Sequence, residues 1–428
     1  HTDSSAASDV YKRQCWTFPK VAPANGLRIA DMFCGPGGFS EGARQVGFTI
    51  AAATDYCPLA LASHALNHKG AHVLGDMTDS AIQRKFLKAA GNDVTVVSAG
   101  ITCKGFSMSG KRDPLDERNQ LYIVCTEVAC KLRPKVIVIE NVTQIDRWIP
   151  RDGLTKSQMA DVERDFKEMS VAERKADDAN PKGVRQRLLA DGRRGAIVLV
   201  SNQIVSDFLS KGYKMTHRSV NFADFGVPQR RIREIIIGVR ADLGINPDAL
   251  FPAQSHNECG AGGLQRWSSV REALSGLPPV KAPRLRGEPQ PADSCICDFH
   301  QRTTPKAGTI QGIRKRRQQG EAGFGKSVMN SGNSKSQCGR YLNPNRPSPT
   351  VVCNNGTPFA HITEERLMTP LEMARLQTFP DTYRFHGPLS KDVMDVDGKF
   401  LRHSGVWQEL TDAVPPLFAR ALFSRIAE

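Results

Sequence analysis

No apolar run in this 428-residue chain approaches the roughly 20 residues that a membrane span needs. No spanning helix or membrane association is therefore expected. The start, HTDSSAASDVYKRQ, lacks the apolar core of a secretory signal and shows no periodicity. Residues 1–26 are read as a disordered or cloning-derived tail. The 11 cysteines are odd in number and scattered, unlike a disulfide scaffold. They suit a reducing cytoplasm, and a cytoplasmic location is expected. Cys259, Cys295, Cys297 and Cys338, with His300, match no strong zinc spacing, so no metal is expected. There is no internal repeat. Acidic charge is in short supply: 44 Asp and Glu against 58 Lys and Arg leave a net charge of +14 and a pI near 9.4. In a chain of enzyme size this excess favours a polyanionic partner, most simply nucleic acid. Nothing points to a protein partner, and a monomer is expected.

From residue 27 onward, apolar runs alternate with helical patterns. LRIADMF (27–33), TIAAATD (49–55), HVLGD, DVTVVSAG and KVIVIENV (135–142) read as strands. FSEGARQVG, CPLALASHALNHKG, AIQRKFLKAA and LYIVCTEVACKLRP read as the helices between them. Strands separated by helices predict an α/β fold with a mostly parallel, doubly wound sheet. Runs such as VIVI suit strands buried on both faces. A charged segment, 147–195, interrupts the rhythm and reads as a surface insertion. Regularity returns with AIVLVSNQIVSDFLSKGYKM and REIIIGV (233–239). From about 281 to 345 the chain is rich in Gly, Pro, Ser and basic residues, RKRR (314–317) among them. This predicts a second, smaller, loop-rich domain. The stretch 346–428 returns to the first domain, which begins at 27 and runs to 280; TPLEMARLQTFP and VPPLFARALFSRIAE read as its helices.

Chemistry-bearing residues collect at the strand ends. The first strand runs into DMFCGPGGFSEG (31–42), a glycine turn before a helix, where backbone N–H groups can meet a ligand. Its spacing is not the dinucleotide GxGxxG. Asp55 ends the second strand, where a carboxylate can take ribose hydroxyls. Asp76 follows the third strand. Cys103, in GITCKGFS, follows the fourth, and could be a packed thiol, a metal ligand or a nucleophile. Glu140 and Asn141 end the fifth, and an unpaired carboxylate is a poor core residue. Ligands in such folds bind at the carboxyl ends of strands, and five ends carrying functional groups favour a reactive Cys103.

An ordered set of segments makes a resemblance specific. DMFCGPGGFSEG, GITCKGFSMSGKRDPLDERNQL with its DxRNxL, ENV, FGVPQRRIREIIIGVR with its QxRxR, RWSSVREALSGLP, RYLNPNRPSPTVV, RLMTPLEMARLQTFPD and AVPPLFARAL follow in this order. The chain resembles the cytosine-5 DNA methyltransferases, which use S-adenosylmethionine, over about residues 27–428 apart from the insertion and the loop-rich region. The resemblance implies a class I methyltransferase fold, with 281–345 as the target-recognition domain, and double-stranded DNA as the partner. It implies Cys103 as the nucleophile that adds to cytosine C6, making C5 nucleophilic. Glu140, with Asn141, would hold N3 and the exocyclic amine. Arg233 would sit on the base O2 with Arg231 nearby. The target base would flip out of the duplex to reach them. The cofactor would lie against Asp31, Phe33, Gly35, Pro36, Gly37 and Gly38 of the loop. Asp55 would take its ribose, Tyr56 its adenine ring, and Asp76, beside Met77, its adenine amine. Leu121 would line the pocket. Thr102, Lys104, Asp412 and Ala413 would lie near the transferred group.

Two positions depart from the family pattern. Thr102-Cys103-Lys104 stands where Pro-Cys-Gln is usual, and Thr411-Asp412-Ala413-Val414-Pro415 where Gly-Asn-Ala-Val-Pro is usual. Each introduces charge near the transferred group. An ordinary methyltransferase is the expected reading. The alternatives are a transferase using a modified, for example carboxylated, S-adenosylmethionine, a catalytically weak DNA-binding homologue, and an RNA cytosine methyltransferase. A role in restriction–modification is also expected.

Overall fold

The computed structural model describes residues 21–101, 121–143, 148–150, 155–157, 160, 197–280, 293–295, 307–326, 328, 339–352, 359–387 and 405–428. In chain order the main elements are β1 (Arg28–Met32), α1 (Gly38–Gln45), β2 (Thr49–Asp55), α2 (Pro58–Asn67), β3 (Ala71–Leu74), α3 (Ser80–Ala90), β4 (Val96–Gly100), α4 (Leu121–Leu132), β5 (Val136–Val142), α5 (Val200–Ser210), β6 (Tyr213–Asn221), β7 (Ile232–Arg240), α6 (Ala307–Gln318), α7 (Pro370–Leu376), α8 (Val406–Asp412) and α9 (Pro416–Ala427). Strand and helix alternate from β1 to β5 as the pattern of apolar runs requires, and the fold is α/β.

Two compact units divide the chain. One comprises the described residues of His1–Gly75, Asn221–Arg231 and Phe251–Glu428; the other, those of Asp76–Val220 and Ile232–Leu250. In the first unit β1, β2 and β3 are parallel neighbours, with Arg28 opposite Thr49 and Asp55 opposite Leu74. Local chemistry starts its helices. Pro58, Pro370 and Pro416 stand in the first turn of α2, α7 and α9, where a missing N–H costs nothing. Thr369 and Glu372 close a capping box on α7. The last helix, α9, packs on α1. Phe423 meets Phe39 edge-on at 6.0 Å, and Phe418 stacks on Phe222 at 4.4 Å. Gly42 is what lets the two helices approach: a Cβ there would lie 2.4 Å from the Ala419 Cβ.

In the second unit β4 and β5 are parallel, and the residues of β5 from Val136 to Ile139 are buried. β7 pairs with β5 in the antiparallel sense, Arg233 opposite Val142 and Ile235 opposite Glu140. β6 lies next to β7. The sheet is thus mostly parallel with an antiparallel strand, which an apolar run read alone does not reveal. Asp79 caps α3 by accepting the Ala81 N–H at 2.7 Å.

Among the main elements, α6 and α8 stand where the sequence showed none. α6 carries Arg314–Arg317 inside the region read as loop-rich, anchored by the fully buried Ile313. α8 places Asp412 at its last turn. The 147–195 insertion falls almost wholly outside the described residues.

Candidate active site

The glycine loop links β1 to α1 in the first unit, and its backbone is unusual. Phe33, Gly35 and Gly37 have φ of 54°, 54° and 106°, all in the left-handed region. That conformation is costly for Phe33, so contacts from outside must hold the loop. Asp55, at the end of β2, is one such contact: its carboxylate accepts the Gly35 N–H at 2.9 Å and the Cys57 N–H at 2.8 Å. Cys34 N–H donates to the Thr54 carbonyl at 3.0 Å. Asp31 is fully buried and accepts the Ser40 hydroxyl at 2.7 Å, tying β1 to α1. Ser40 in turn meets His64 Nε2 at 2.9 Å, and His64 Nδ1 meets His72 Nε2 at 2.8 Å. Burial drives the His64 pKa well down and keeps it neutral.

Tyr56 and Leu74 flank Asp55 at the strand ends and are 58% and 51% exposed, an unusual state for large apolar groups beside a buried carboxylate. Ala413 is buried, while Asp412 is exposed at the end of α8. The carbonyl of Val414 lies against Gly38, 2.0 Å from where a Cβ would stand. No other residue fits there.

Gln229 of QxRxR is fully buried and joins distant segments. It donates to Gln377 Oε1 at 2.9 Å and accepts the Val351 N–H at 2.8 Å; Gln377 in turn donates to the Leu410 carbonyl. Its part in the motif is structural. Arg231 is buried, and its carbonyl accepts the Phe222 N–H at 3.0 Å.

In the second unit, Glu140 is 7% exposed at the end of β5, and its Oε1 lies 3.0 Å from Arg233 Nε. Gly100, near the end of the fourth strand, is the direct register partner of Glu140. Asn141 is buried, and its side-chain oxygen accepts the Val142 N–H at 2.8 Å. Asp76 is exposed and accepts the Thr78 N–H at 2.9 Å, whereas Met77 is buried. Leu121 opens α4 and is half-buried. Thr102, Cys103 and Lys104 lie outside the described residues, as do Cys297, His300 and Cys338. Among the described residues no group of three or more His, Cys, Asp or Glu is arranged to hold a metal. No described helix is long and apolar enough to cross a membrane.

Several residues of this region carry no motif. Tyr383, His68 and His64 contact or back the glycine loop from far along the chain or from an adjacent helix. Glu409, on α8, is buried with neither carboxyl oxygen hydrogen-bonded among the described residues. Only the cluster of three histidines at 64, 68 and 72 is a visible signal, and it resembles an ordinary polar interior.

Residues 27–164 and 189–426 match the family model for C-5 cytosine-specific DNA methylase. The chain belongs to that family, and as an enzyme it is a DNA (cytosine-5-)-methyltransferase. Among its relatives, the type II methyltransferase M.DdeI of Desulfomicrobium norvegicum is 27% identical over 94% of this chain and 88% of its own length. The type II methyltransferase M.NgoFVII of Neisseria gonorrhoeae is 28% identical over 92% of this chain and 88% of its own length. A crystal structure assigned as a DNA modification methyltransferase encoded within an E. coli prophage shares the fold. Its TM-score is 0.58 at 21% identity, covering 93% of this chain and 98% of that one.

Proposed function

We propose that the enzyme transfers a methyl group from S-adenosylmethionine to C5 of a cytosine flipped out of double-stranded DNA, through a transient bond between Cys103 and C6. The observation that carries this reading is the Glu140–Arg233 pair. N3 and O2 of cytosine are neighbours on one edge of the base. A carboxyl and a guanidinium held 3.0 Å apart suit that edge; Glu140 would face N3 and Arg233 would face O2. Cys103 follows Gly100, the register partner of Glu140, by three residues, a span of at most about 11 Å of extended chain. The fourth strand therefore ends level with the acid, and the nucleophile follows that end closely in sequence.

The residues of the first unit suit a nucleoside cofactor. Asp55 ends its strand beside the exposed Tyr56, and at the half-buried Gly35 nothing lies within 4 Å of where a Cβ would stand, which leaves room against the loop backbone. S-adenosylmethionine, when bound, supplies an electrophilic methyl. Asp55 would take the ribose hydroxyls, Tyr56 the adenine face, and Asp76 the adenine amine. The Cys103 thiolate adds at C6 and pushes the ring electrons toward C5, while Glu140 and Arg233 stabilise charge at N3 and O2. After transfer, water removes the C5 proton, the ring double bond reforms and Cys103 leaves.

The basic excess of the chain supports a DNA partner, and the type II names of its relatives support a restriction–modification setting. The enzyme acts as a monomer in the cytoplasm on this reading. Plain rather than carboxylated S-adenosylmethionine is the donor on this reading, because the charges at Lys104 and Asp412 are opposite and offset each other, leaving no net attraction for a second anion. The test uses DNA carrying 5-fluorocytosine, whose C5 substituent cannot leave as a proton. A covalent complex should form with the wild type and be absent from Cys103→Ser. Mass spectrometry of nucleosides from unmodified DNA, with both donors offered equally, should show 5-methylcytosine alone. An adduct that persists in Cys103→Ser, or formation of 5-carboxymethylcytosine, would refute the corresponding part of the reading.

A further inference from the structure

The glycine loop is held on one side by β2 and on the other by a side chain that arrives 347 residues later. Tyr383 is buried, and its hydroxyl donates to the Pro36 carbonyl at 2.5 Å. The same hydroxyl lies 2.9 Å from His68 Nε2. Since the phenol gives its proton to Pro36, His68 Nε2 must carry the proton of that second bond, and Nδ1 is the bare nitrogen. His68 fits this state: burial first, and then Arg44, lower its pKa to about 3, so the ring is neutral. The phenol also stays protonated, because burial raises its pKa well above the ordinary range.

Packing fixes the direction of the hydroxyl. The Tyr383 ring lies 4.7 Å from Phe379 and 5.2 Å from Phe385, centroid to centroid. Those contacts hold the ring whether or not it carries oxygen. The loop is equally committed on its own side. A Cβ at Gly37 would lie 2.7 Å from the Tyr383 oxygen and 2.8 Å from His68 Nε2, so the backbone there rests directly on the two polar groups. With Phe33, Gly35 and Gly37 all at positive φ, the loop has little intrinsic preference for its shape.

We propose that Tyr383, backed by His68, is a positioning residue for the cofactor loop: it fixes the Pro36 carbonyl and thereby the backbone that receives S-adenosylmethionine. The inference rests on the cofactor reading above and adds a residue to it. Tyr383 touches neither cofactor nor base in this role; it acts through Pro36. Removing its hydroxyl leaves the aromatic cluster in place but lets the loop sample other shapes, so part of the binding energy goes into ordering it.

The experiment compares wild type, Tyr383→Phe, His68→Leu and His68→Gln. Calorimetry with S-adenosylmethionine gives cofactor affinity, single-turnover methyl transfer at saturating cofactor gives the chemical rate, and thermal melts report folding. Tyr383→Phe should weaken cofactor binding about five- to tenfold, the worth of one lost buried hydrogen bond. Its saturated rate and its affinity for duplex DNA should stay within about threefold of wild type, because the bound cofactor reorders the loop. His68→Leu should move cofactor affinity the same way, and His68→Gln, which keeps a donor, should recover part of the loss. Unchanged cofactor affinity in Tyr383→Phe, with wild type binding normally, overturns the inference alone. Equal losses in cofactor affinity, DNA affinity and melting temperature overturn it in favour of a structural role. Wild type that does not bind S-adenosylmethionine overturns the cofactor reading and this inference with it.

Discussion

A carboxyl group taken out of water must find partners or give up its charge. Glu409 does the second. It is 4% exposed, and neither oxygen is hydrogen-bonded among the described residues. Burial above all, and then repulsion from Asp55, push its pKa well up, against an opposing contribution from the nearby Ser63 hydroxyl. In the unfolded chain the group ionises near the ordinary value of about 4.3. With the folded pKa raised, the native state is at no disadvantage below that pH. It loses stability as pH rises from there through the folded pKa, because only the unfolded chain gains from ionising. Glu409→Gln keeps the shape and removes the titration. Its melting temperature should match wild type near pH 4.5 and exceed it increasingly toward pH 8. A difference that stays constant with pH would show that burial does not shift Glu409, and a variant less stable at pH 8 would show that it is charged and paired in the native protein. Sequence reading finds Asp55 and Glu140 because each ends an apolar strand, where a carboxylate is locally out of place. It misses Glu409 and Tyr383 because nothing beside them in the chain announces what lies beside them in space.

At the scale of elements, helix propensity and helix packing disagree at Gly42. Glycine in a helix interior costs about 1 kcal/mol relative to alanine, so Gly42→Ala should stabilise α1 on propensity alone. The packing says otherwise. The new Cβ would sit 2.4 Å from Ala419 Cβ and 2.5 Å from Arg420 N, and the second of these is backbone that cannot swing away. Overpacking of this kind costs roughly 1–3 kcal/mol, so the clash wins and Gly42→Ala should melt lower than wild type. A higher melting temperature would mean that α9 docks more loosely on α1 than the structure has it. The alternation from β1 to β5 was legible because each strand is an apolar run between helical periods. The direction of β7 was not, since REIIIGV has the same period whether it runs with its neighbour or against it. α6 was hidden for another reason. AGTIQGIRKRRQ has two isoleucines in twelve residues, too few to display a helical stripe, and its place is fixed by the burial of Ile313.

For the whole molecule the dominant quantity is charge. The excess of 58 basic over 44 acidic residues, 58 − 44 = +14, acts at a distance on any polyanion. Its effect on DNA binding is measurable without knowing the recognition sequence. Each phosphate neutralised by a Lys or Arg contributes about 0.9 to the slope of log affinity against log salt. α6 supplies a concentrated share of the charge in Arg314, Lys315, Arg316 and Arg317. Arg314 is held by the Glu365 carboxylate through two contacts of 2.8 Å, whereas Lys315 is exposed and Arg316 donates to the neutral Gln319 Oε1 at 3.0 Å, so these two keep their charge to offer a phosphate. The double variant Lys315→Ala, Arg316→Ala should therefore lower the salt slope by up to about 2 and weaken binding equally on recognised and unrelated duplexes. Fluorescence anisotropy titrations across a salt series measure both quantities. A variant whose slope is unchanged would place α6 away from the DNA. One that loses preference for the recognised duplex while keeping its slope would make the helix a reader of bases, because phosphate contacts carry affinity without sequence whereas base contacts carry sequence with little salt dependence.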